Sequence, residues 1–321
     1  MNIAVVGTNF ISDRFVTAAM EARDVNIGAV YSRKSDTGAA FARKYGIERV
    51  YTDYREMLFD ESLDAVYIAS PTMCHRDQAS DALRAGLAVL CEKAVCATYG
   101  EFLSLDRVRR ETGGIIIEAM RPDFDMRHSF IKSNISALGE IRGAELEYRQ
   151  YSSRYDSFLR GTVMNAFDPK MKNSALADIG IYPLHCCVSL FGEPLSVSST
   201  GEFLHNGFLA RGESVLNYGT FDVKISYSKI DEGENVSVIR GERCDIRFDR
   251  INEPTYVKIS AQGREYVYPK DFSEYGNMDD EICAFRDIVS GVRTDADKLW
   301  DTTARTMRTM TEIYSELGVD F

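Results

Sequence analysis

The sequence predicts an α/β protein in two parts, a doubly wound parallel sheet over residues 1–120 and an α+β part over residues 121–321. Three observations predict it. Short β-branched runs alternate with amphipathic stretches through the first third of the chain. After Ala119 this rhythm gives way to long apolar–polar alternations punctuated by turn signals. With 321 residues, 45% of them hydrophobic, the chain is also long and apolar enough to bury two cores.

In the first part, residues 3–6, 27–31, 65–69, 87–91 and 115–117 are the expected strands. Helical patterns at 15–22, 37–45, 76–85 and 101–111 lie between them, and Gly46, Gly86 and Gly113 or Gly114 follow helices where a left-handed C-cap is useful. Repeated strand–helix–strand order makes the sheet parallel. In the second part, one helical stretch at 124–136 precedes alternating runs at 141–151 and 197–268, which read as antiparallel strands. Asp231-Glu232-Gly233 and Gln262-Gly263 supply turns, and residues 278–289 and 299–317 read as helices.

A formal net charge of -11 opposes unaided attraction to nucleic acid or anionic lipid. The N-terminus shows no basic segment followed by an apolar run, and no apolar stretch approaches the ~20 residues that span a bilayer. A cytoplasmic protein without membrane or nucleic-acid partners is expected. The seven cysteines form no C-x-x-C pair and read as buried free thiols. Cys186 and Cys187 point to different sides of a helix, so no structural metal is expected.

The first strand, Asn2 to Val6, runs into Gly7-Thr8-Asn9-Phe10-Ile11-Ser12. A Rossmann turn needs glycine where the chain leaves this strand, then small residues that let backbone N–H groups approach a pyrophosphate. Gly7 keeps the first position, while Asn9, which tolerates left-handed backbone, and Ser12 take the other two. At the end of the second strand an acidic residue would hold the ribose hydroxyls of NAD, but Ser32-Arg33-Lys34 stands there. A hydroxyl and two cations suit a phosphate monoester, favouring NADP, while nearby Asp36 keeps NAD as the alternative. The edge where ligands bind in such sheets also receives Ser70, Pro71, Thr72 and His75 after the next long strand, and Glu92 with Lys93 after the one following.

The runs Asp64 to His75 and Gly86 to Lys93, with Glu118-Ala119 and Asp178-Ile179-Gly180-Ile181-Tyr182-Pro183-Leu184-His185, resemble the glucose-fructose oxidoreductase and inositol dehydrogenase (Gfo/Idh/MocA) family. The resemblance spans both halves of the chain in order. It implies a C-terminal domain with a large open, mainly antiparallel sheet, assembly into a homodimer or homotetramer through that sheet, and a substrate cleft beside the nicotinamide. It also implies that Lys93 lies by the nicotinamide and that Asp178 and Tyr182 or His185 face it.

The chemistry needs such groups on its own account, because oxidising an alcohol removes a hydroxyl proton while hydride leaves carbon. Tyr182 and His185 follow Asp178 at i+4 and i+7, which share one helix face. Pro183 is tolerated only near a helix start, which puts Asp178 at or before the N-cap. Lys93 then orients and polarises the hydroxyl, Tyr182 or His185 transfers the proton, and Asp178 orients it or grips a sugar, polyol, cyclitol or dihydrodiol. Arg121, Arg154, Tyr155, Asn165 and Lys172 are further polar residues able to line a cleft.

The chain departs from the family pattern at the two lost glycines, at Thr72, at the Asn173-Ser174-Ala175 approach to Asp178, and at Ala94, which replaces the proline after Lys93. A cis bond before a residue other than proline costs about 3 kcal/mol, so the Lys93–Ala94 bond is expected to be trans. These departures keep a second function open, a dinucleotide-binding sensor without turnover.

Overall fold

The computed structural model describes residues 1–268 and 278–320. They form two compact units, one of residues 1–96, 100–120 and 278–300, the other of 97–99, 121–268 and 301–320. The chain thus returns to the first unit late, which a single division at residue 120 does not anticipate.

The first unit alternates strand and helix: β1 (Asn2–Val6), α1 (Phe10–Glu21), β2 (Asn26–Tyr31), α2 (Ser35–Tyr45), β3 (Arg49–Tyr51), α3 (Tyr54–Leu58), β4 (Ala65–Ile68), α4 (Thr72–Arg84), β5 (Ala88–Glu92), α5 (Tyr99–Thr112) and β6 (Ile116–Ala119). The six strands pair in parallel in the order β3-β2-β1-β4-β5-β6. Parallel strands with helical crossovers are buried on both faces, which is why β4 and all of β1 after Asn2 are apolar and buried. The order reverses at β1 and β4, and the loops leaving these strands share one edge of the sheet. Gly46, Gly86 and Gly113 all take positive φ, as helix-ending glycines do.

Behind that edge sits His75 of α4, 1% exposed, with ring nitrogens 2.8 Å from the Ser70 carbonyl and 2.9 Å from the Ala94 carbonyl. It ties together the loops that follow β4 and β5. Burial pushes its imidazole below the ordinary value of 6.5, against the pull of the two carbonyls, and the neutral ring then has one N–H to donate to one of them.

The second unit contains α6 (Met126–Asn134), β7 (Ile141–Arg149), α7 (Ser153–Leu159), α8 (Ile181–Phe191), β8 (Ser196–Phe203), β9 (Leu209–Asn217), β10 (Asp222–Ser228), β11 (Val236–Gly241), β12 (Asp245–Asp249), β13 (Val257–Ala261) and β14 (Arg264–Val267). Two helices close the sequence, α9 (Met278–Val289), which packs on α1 in the first unit, and α10 (Ala296–Glu316). The strands form an eight-stranded sheet ordered β14-β13-β12-β11-β7-β10-β9-β8. It is mainly antiparallel, but β7 and β10 run parallel, with Ala144 opposite Val223 and Tyr148 opposite Tyr227. This agrees with the expected mainly antiparallel sheet; the parallel pair has no sequence signal, because residue alternation reports burial and not strand direction.

One face of this sheet is apolar, with Val223, Ile225 and Tyr227 of β10 buried. A π-helical segment, Leu176–Gly180, packs against β10 and runs directly into α8. The opposite face carries cross-strand pairs such as Lys224–Glu213 and Arg240–Glu145, at 2.9 and 3.0 Å. No helix among the described residues is long and apolar enough to cross a membrane. All seven cysteines are free, five buried and Cys74 and Cys283 partly exposed.

Two stability predictions follow from these contacts. A Cβ on Gly180 would lie 2.7 Å from the Tyr227 ring, so Gly180→Ala should destabilise the fold by roughly 1–3 kcal/mol in urea unfolding. Because His75 is neutral when folded and protonates more readily when unfolded, the unfolded chain binds more protons below pH 6.5. Stability should therefore fall as pH drops through that value, and fall less in His75→Gln.

Candidate functional site

In the first unit, Gly7 ends β1 at φ +110°, and a Cβ there would lie 2.9 Å from the Ala69 carbonyl oxygen. Only glycine lets the turn pass so close to the end of β4. Asn9 is not left-handed as its propensity suggested. It is extended, with φ -91°, and caps α1 by accepting from the Ile11 and Ser12 N–H groups. Its amide also donates to the Ala69 carbonyl at 2.6 Å, so one side chain secures the turn from both sides. Phe10 opens the helix and is 61% exposed, while the Ser12 hydroxyl is buried with no partner among the described residues.

Next along the edge, the Ser32 hydroxyl turns inward to the Thr37 hydroxyl at 2.7 Å and the Lys34 carbonyl. Arg33 and Lys34 are exposed, and neither forms an ion pair among the described residues. Lys34 precedes α2 with no side-chain cap, which leaves the start of that helix as an anion-favouring end beside two cations. A glycine-requiring turn, an orphaned buried hydroxyl and this cationic helix start fit a phosphorylated dinucleotide.

Beyond β4, Ser70 bonds the Gln78 side chain at 2.6 Å, and Pro71 and Thr72 start α4. Beyond β5, the Glu92 carboxylate accepts from the hydroxyl of buried Tyr67 at 2.7 Å. The Lys93–Ala94 peptide is cis, which corrects the trans expectation. The backbone here is held from two other elements: the Ala94 carbonyl meets His75, and the Val95 N–H donates to Glu118 at 2.9 Å. Such long-range bonds override an intrinsic preference for trans.

In the second unit, Asp178 lies inside the π-helical segment and not at a helix start. The capping group is Ser174, whose hydroxyl accepts from the Ala177 N–H at 3.1 Å. Pro183 has no N–H to bond Ile179 in α-helical register, and a wider turn just before it accommodates that loss. The structure places Asp178, Tyr182 and His185 on this one continuous segment but gives each its own partners. Asp178 meets the ammonium of Lys229 at 2.7 Å, with a side chain 34% exposed. The Tyr182 hydroxyl accepts from Arg121 at 3.3 Å, and its ring lies 5.7 Å from that of Tyr148.

His185 is buried between Asp123, 2.9 Å from Nε2, and the Thr306 hydroxyl, 3.2 Å from Nδ1. Arg121 is 7% exposed and stands 3.7 Å from Glu253. The loop carrying Glu253 is pinned by Asp249, which accepts from the Thr255 N–H at 2.7 Å, and by Arg127, which bonds the Pro254 carbonyl. Of the supporting groups, Arg121 stood among the lesser sequence candidates. Lys229, Asp123, Thr306 and Glu253 did not, and only Lys229 leaves a readable trace, being a lysine just past the end of β10 that continues its buried phase.

Known proteins resemble this chain in sequence and in fold. A family model described as oxidoreductase family, NAD-binding Rossmann fold, matches residues 1–119. The scyllo-inositol 2-dehydrogenase (NADP(+)) IolU of Bacillus subtilis is 36% identical over 81% of this chain and 79% of its own length. The uncharacterised oxidoreductase YgjR of Escherichia coli is 32% identical over 100% of this chain and 98% of its own. Among solved structures, a tyrosine-to-phenylalanine mutant of KijD10, a 3-ketoreductase from Actinomadura kijaniata in complex with TDP-benzene and NADP, superposes with a TM-score of 0.85. It is 20% identical, covering 99% of this chain and 98% of that one. The chain belongs to the Gfo/Idh/MocA family of NAD(P)-dependent oxidoreductases.

Proposed function

We propose that this chain moves hydride between the nicotinamide of NADP, in preference to NAD, and a hydroxyl or carbonyl carbon of a sugar, polyol, cyclitol or dihydrodiol. The observation that carries the reading is the helical segment through Asp178 and Tyr182, where a carboxylate and a phenol are each set against a buried cation. Relatives support the substrate class, since IolU is named for an inositol and a mouse relative, 23% identical, for trans-1,2-dihydrobenzene-1,2-diol.

When bound, the nicotinamide supplies or accepts the hydride. In the reductive direction Tyr182 donates its phenolic proton to the carbonyl oxygen as the new C–H bond forms, and the guanidinium of Arg121 stabilises the phenolate left behind. The oxidative direction returns the same proton to Tyr182. The Lys93 ammonium polarises the substrate oxygen, and Asp178 accepts a hydrogen bond from a substrate hydroxyl. Between the two proton-transfer candidates the geometry favours Tyr182, because both nitrogens of His185 are engaged by Asp123 and Thr306. His185 then fixes the segment.

For the dinucleotide, Gly7, Thr8, Asn9, Phe10 and Ile11 form the pyrophosphate turn, and Arg33 and Lys34 take the 2'-phosphate beside the turn that Ser32 holds. Ser70, Pro71 and Thr72 line the edge, with Glu92 and Lys93 at its nicotinamide end and His75 behind them. The face of the second unit's sheet that carries the paired charges is the surface proposed for a homodimer or homotetramer.

Removing one charge-assisted contact of about 1.5–3 kcal/mol should weaken NADP binding roughly 10- to 100-fold. Arg33→Ala and Lys34→Ala should each do so in titrations while leaving NAD binding nearly unchanged, and a wild-type preference for NAD would remove the assignment. Lys93→Ala and Tyr182→Phe should each lower kcat at least ~100-fold in a screen of polyols, cyclitols, sugars and dihydrodiols that follows cofactor reduction. Full turnover in either variant would refute its role, and dinucleotide binding without turnover on any substrate in the unsubstituted chain would favour the sensor.

A further inference from the structure

We propose that Lys229 is a positioning residue that fixes the carboxylate of Asp178 for substrate binding, an inference that rests on the substrate-gripping role given to Asp178 above. Lysine is seldom buried unless paired, yet Lys229 is 3% exposed. Its burial follows from strand phase. Val223, Ile225 and Tyr227 occupy the inward positions of β10, and residue 229 is the next inward position just past the strand's end.

The backbone there is held on both sides. The Lys229 N–H donates to the Ala210 carbonyl at 2.9 Å, and its own carbonyl accepts from the Ser152 N–H at 3.0 Å. The ammonium is equally constrained. It donates to the Ala166 carbonyl at 2.8 Å and to Asp178 Oδ2 at 2.7 Å, and it lies over the rings of Phe167 and Phe208 at 4.8 and 5.3 Å. A cation over aromatic faces in a site removed from water is held by attraction and shape together. The box is itself anchored, because Asn206 donates to the Phe167 carbonyl at 2.8 Å and the two rings lie 5.0 Å apart.

These contacts give Lys229 one geometry, and that geometry sets the orientation of Asp178. One carboxylate oxygen points at the buried ammonium, while the side chain as a whole remains 34% exposed. An ionised carboxylate only accepts hydrogen bonds. Asp178 is therefore an aimed acceptor for a substrate hydroxyl and not a proton donor. Without the lysine the carboxylate would lose the contact that aims this oxygen, and the substrate would have to supply that ordering on binding.

The test compares Lys229→Met, Asp178→Asn and the double variant, because methionine keeps an unbranched chain between Phe167 and Phe208 while removing the charge. The proposal expects Lys229→Met to lower kcat/KM for the polyol substrate at least tenfold, with a raised substrate KM. The KM for NADP and the thermal midpoint should stay close to those of the unsubstituted protein. Substitution at Lys229 should add little to the loss already caused by Asp178→Asn. A crystal structure of Lys229→Met should show the Asp178 carboxylate turned away from its original direction. An unchanged substrate KM, losses that multiply fully in the double variant, or an unmoved carboxylate would each overturn it. If the unsubstituted protein turned over no such substrate, the proposed activity would fall, while the crystal structures would still decide the role of Lys229.

Discussion

In a parallel sheet every strand leaves at the same edge, and the first unit depends on that constraint. The order β3-β2-β1-β4-β5-β6 brings the loops after β1, β2, β4 and β5 to one side, so residues far apart in sequence can serve one elongated ligand. What remains is to hold those loops in place, and the chain does this with buried hydrogen bonds. Asn9 links the first turn to Ala69, His75 sits between the Ser70 and Ala94 carbonyls with one N–H to donate, and Glu118 holds Val95. These bonds hold the edge in place although only Gly7 of the three usual turn glycines is present.

The second unit solves a different problem, that of presenting charged groups from an apolar layer. An unpaired buried charge is strongly unfavourable, so each one is met by a partner. Lys229 meets Asp178, Arg121 stands beside Tyr182 and Glu253, and Asp123 meets His185. The pairs fix side-chain directions on a single helical segment, and in the proposed reaction those directions are what the substrate encounters.

Much of this was legible in the sequence, for reasons particular to each element. Most strands of the first unit announce themselves because both faces are buried and apolar residues predominate in them, whereas β3 is three partly buried residues at the sheet's edge and carries no such pattern. Lys93 is marked by the family resemblance, and Asp178, Tyr182 and His185 are readable as chemistry by residue type and spacing. Their surroundings are not, because Asp123, Thr306 and Glu253 reach them from distant segments that no local period connects. The cis peptide before Ala94 belongs to the same class, since local propensity opposes it and the Ala94 carbonyl and Val95 N–H beside it meet residues distant in sequence. Asn9 was read through its tolerance of left-handed backbone, although its preference for N-caps describes what it does. Lys229 lay within reach of strand alternation, had the inward phase been extended two residues past Tyr227.

Transfer of hydride from a carbinol carbon is the central claim, and isotopic labelling tests it most directly. A cyclitol or polyol substrate deuterated at the oxidised carbon would be incubated with the protein and NADP, and the reduced dinucleotide analysed by NMR. The account predicts one deuterium at the nicotinamide C4 position, on a single face, for each substrate oxidised. Reduced dinucleotide without deuterium, or label lost to solvent, would contradict it.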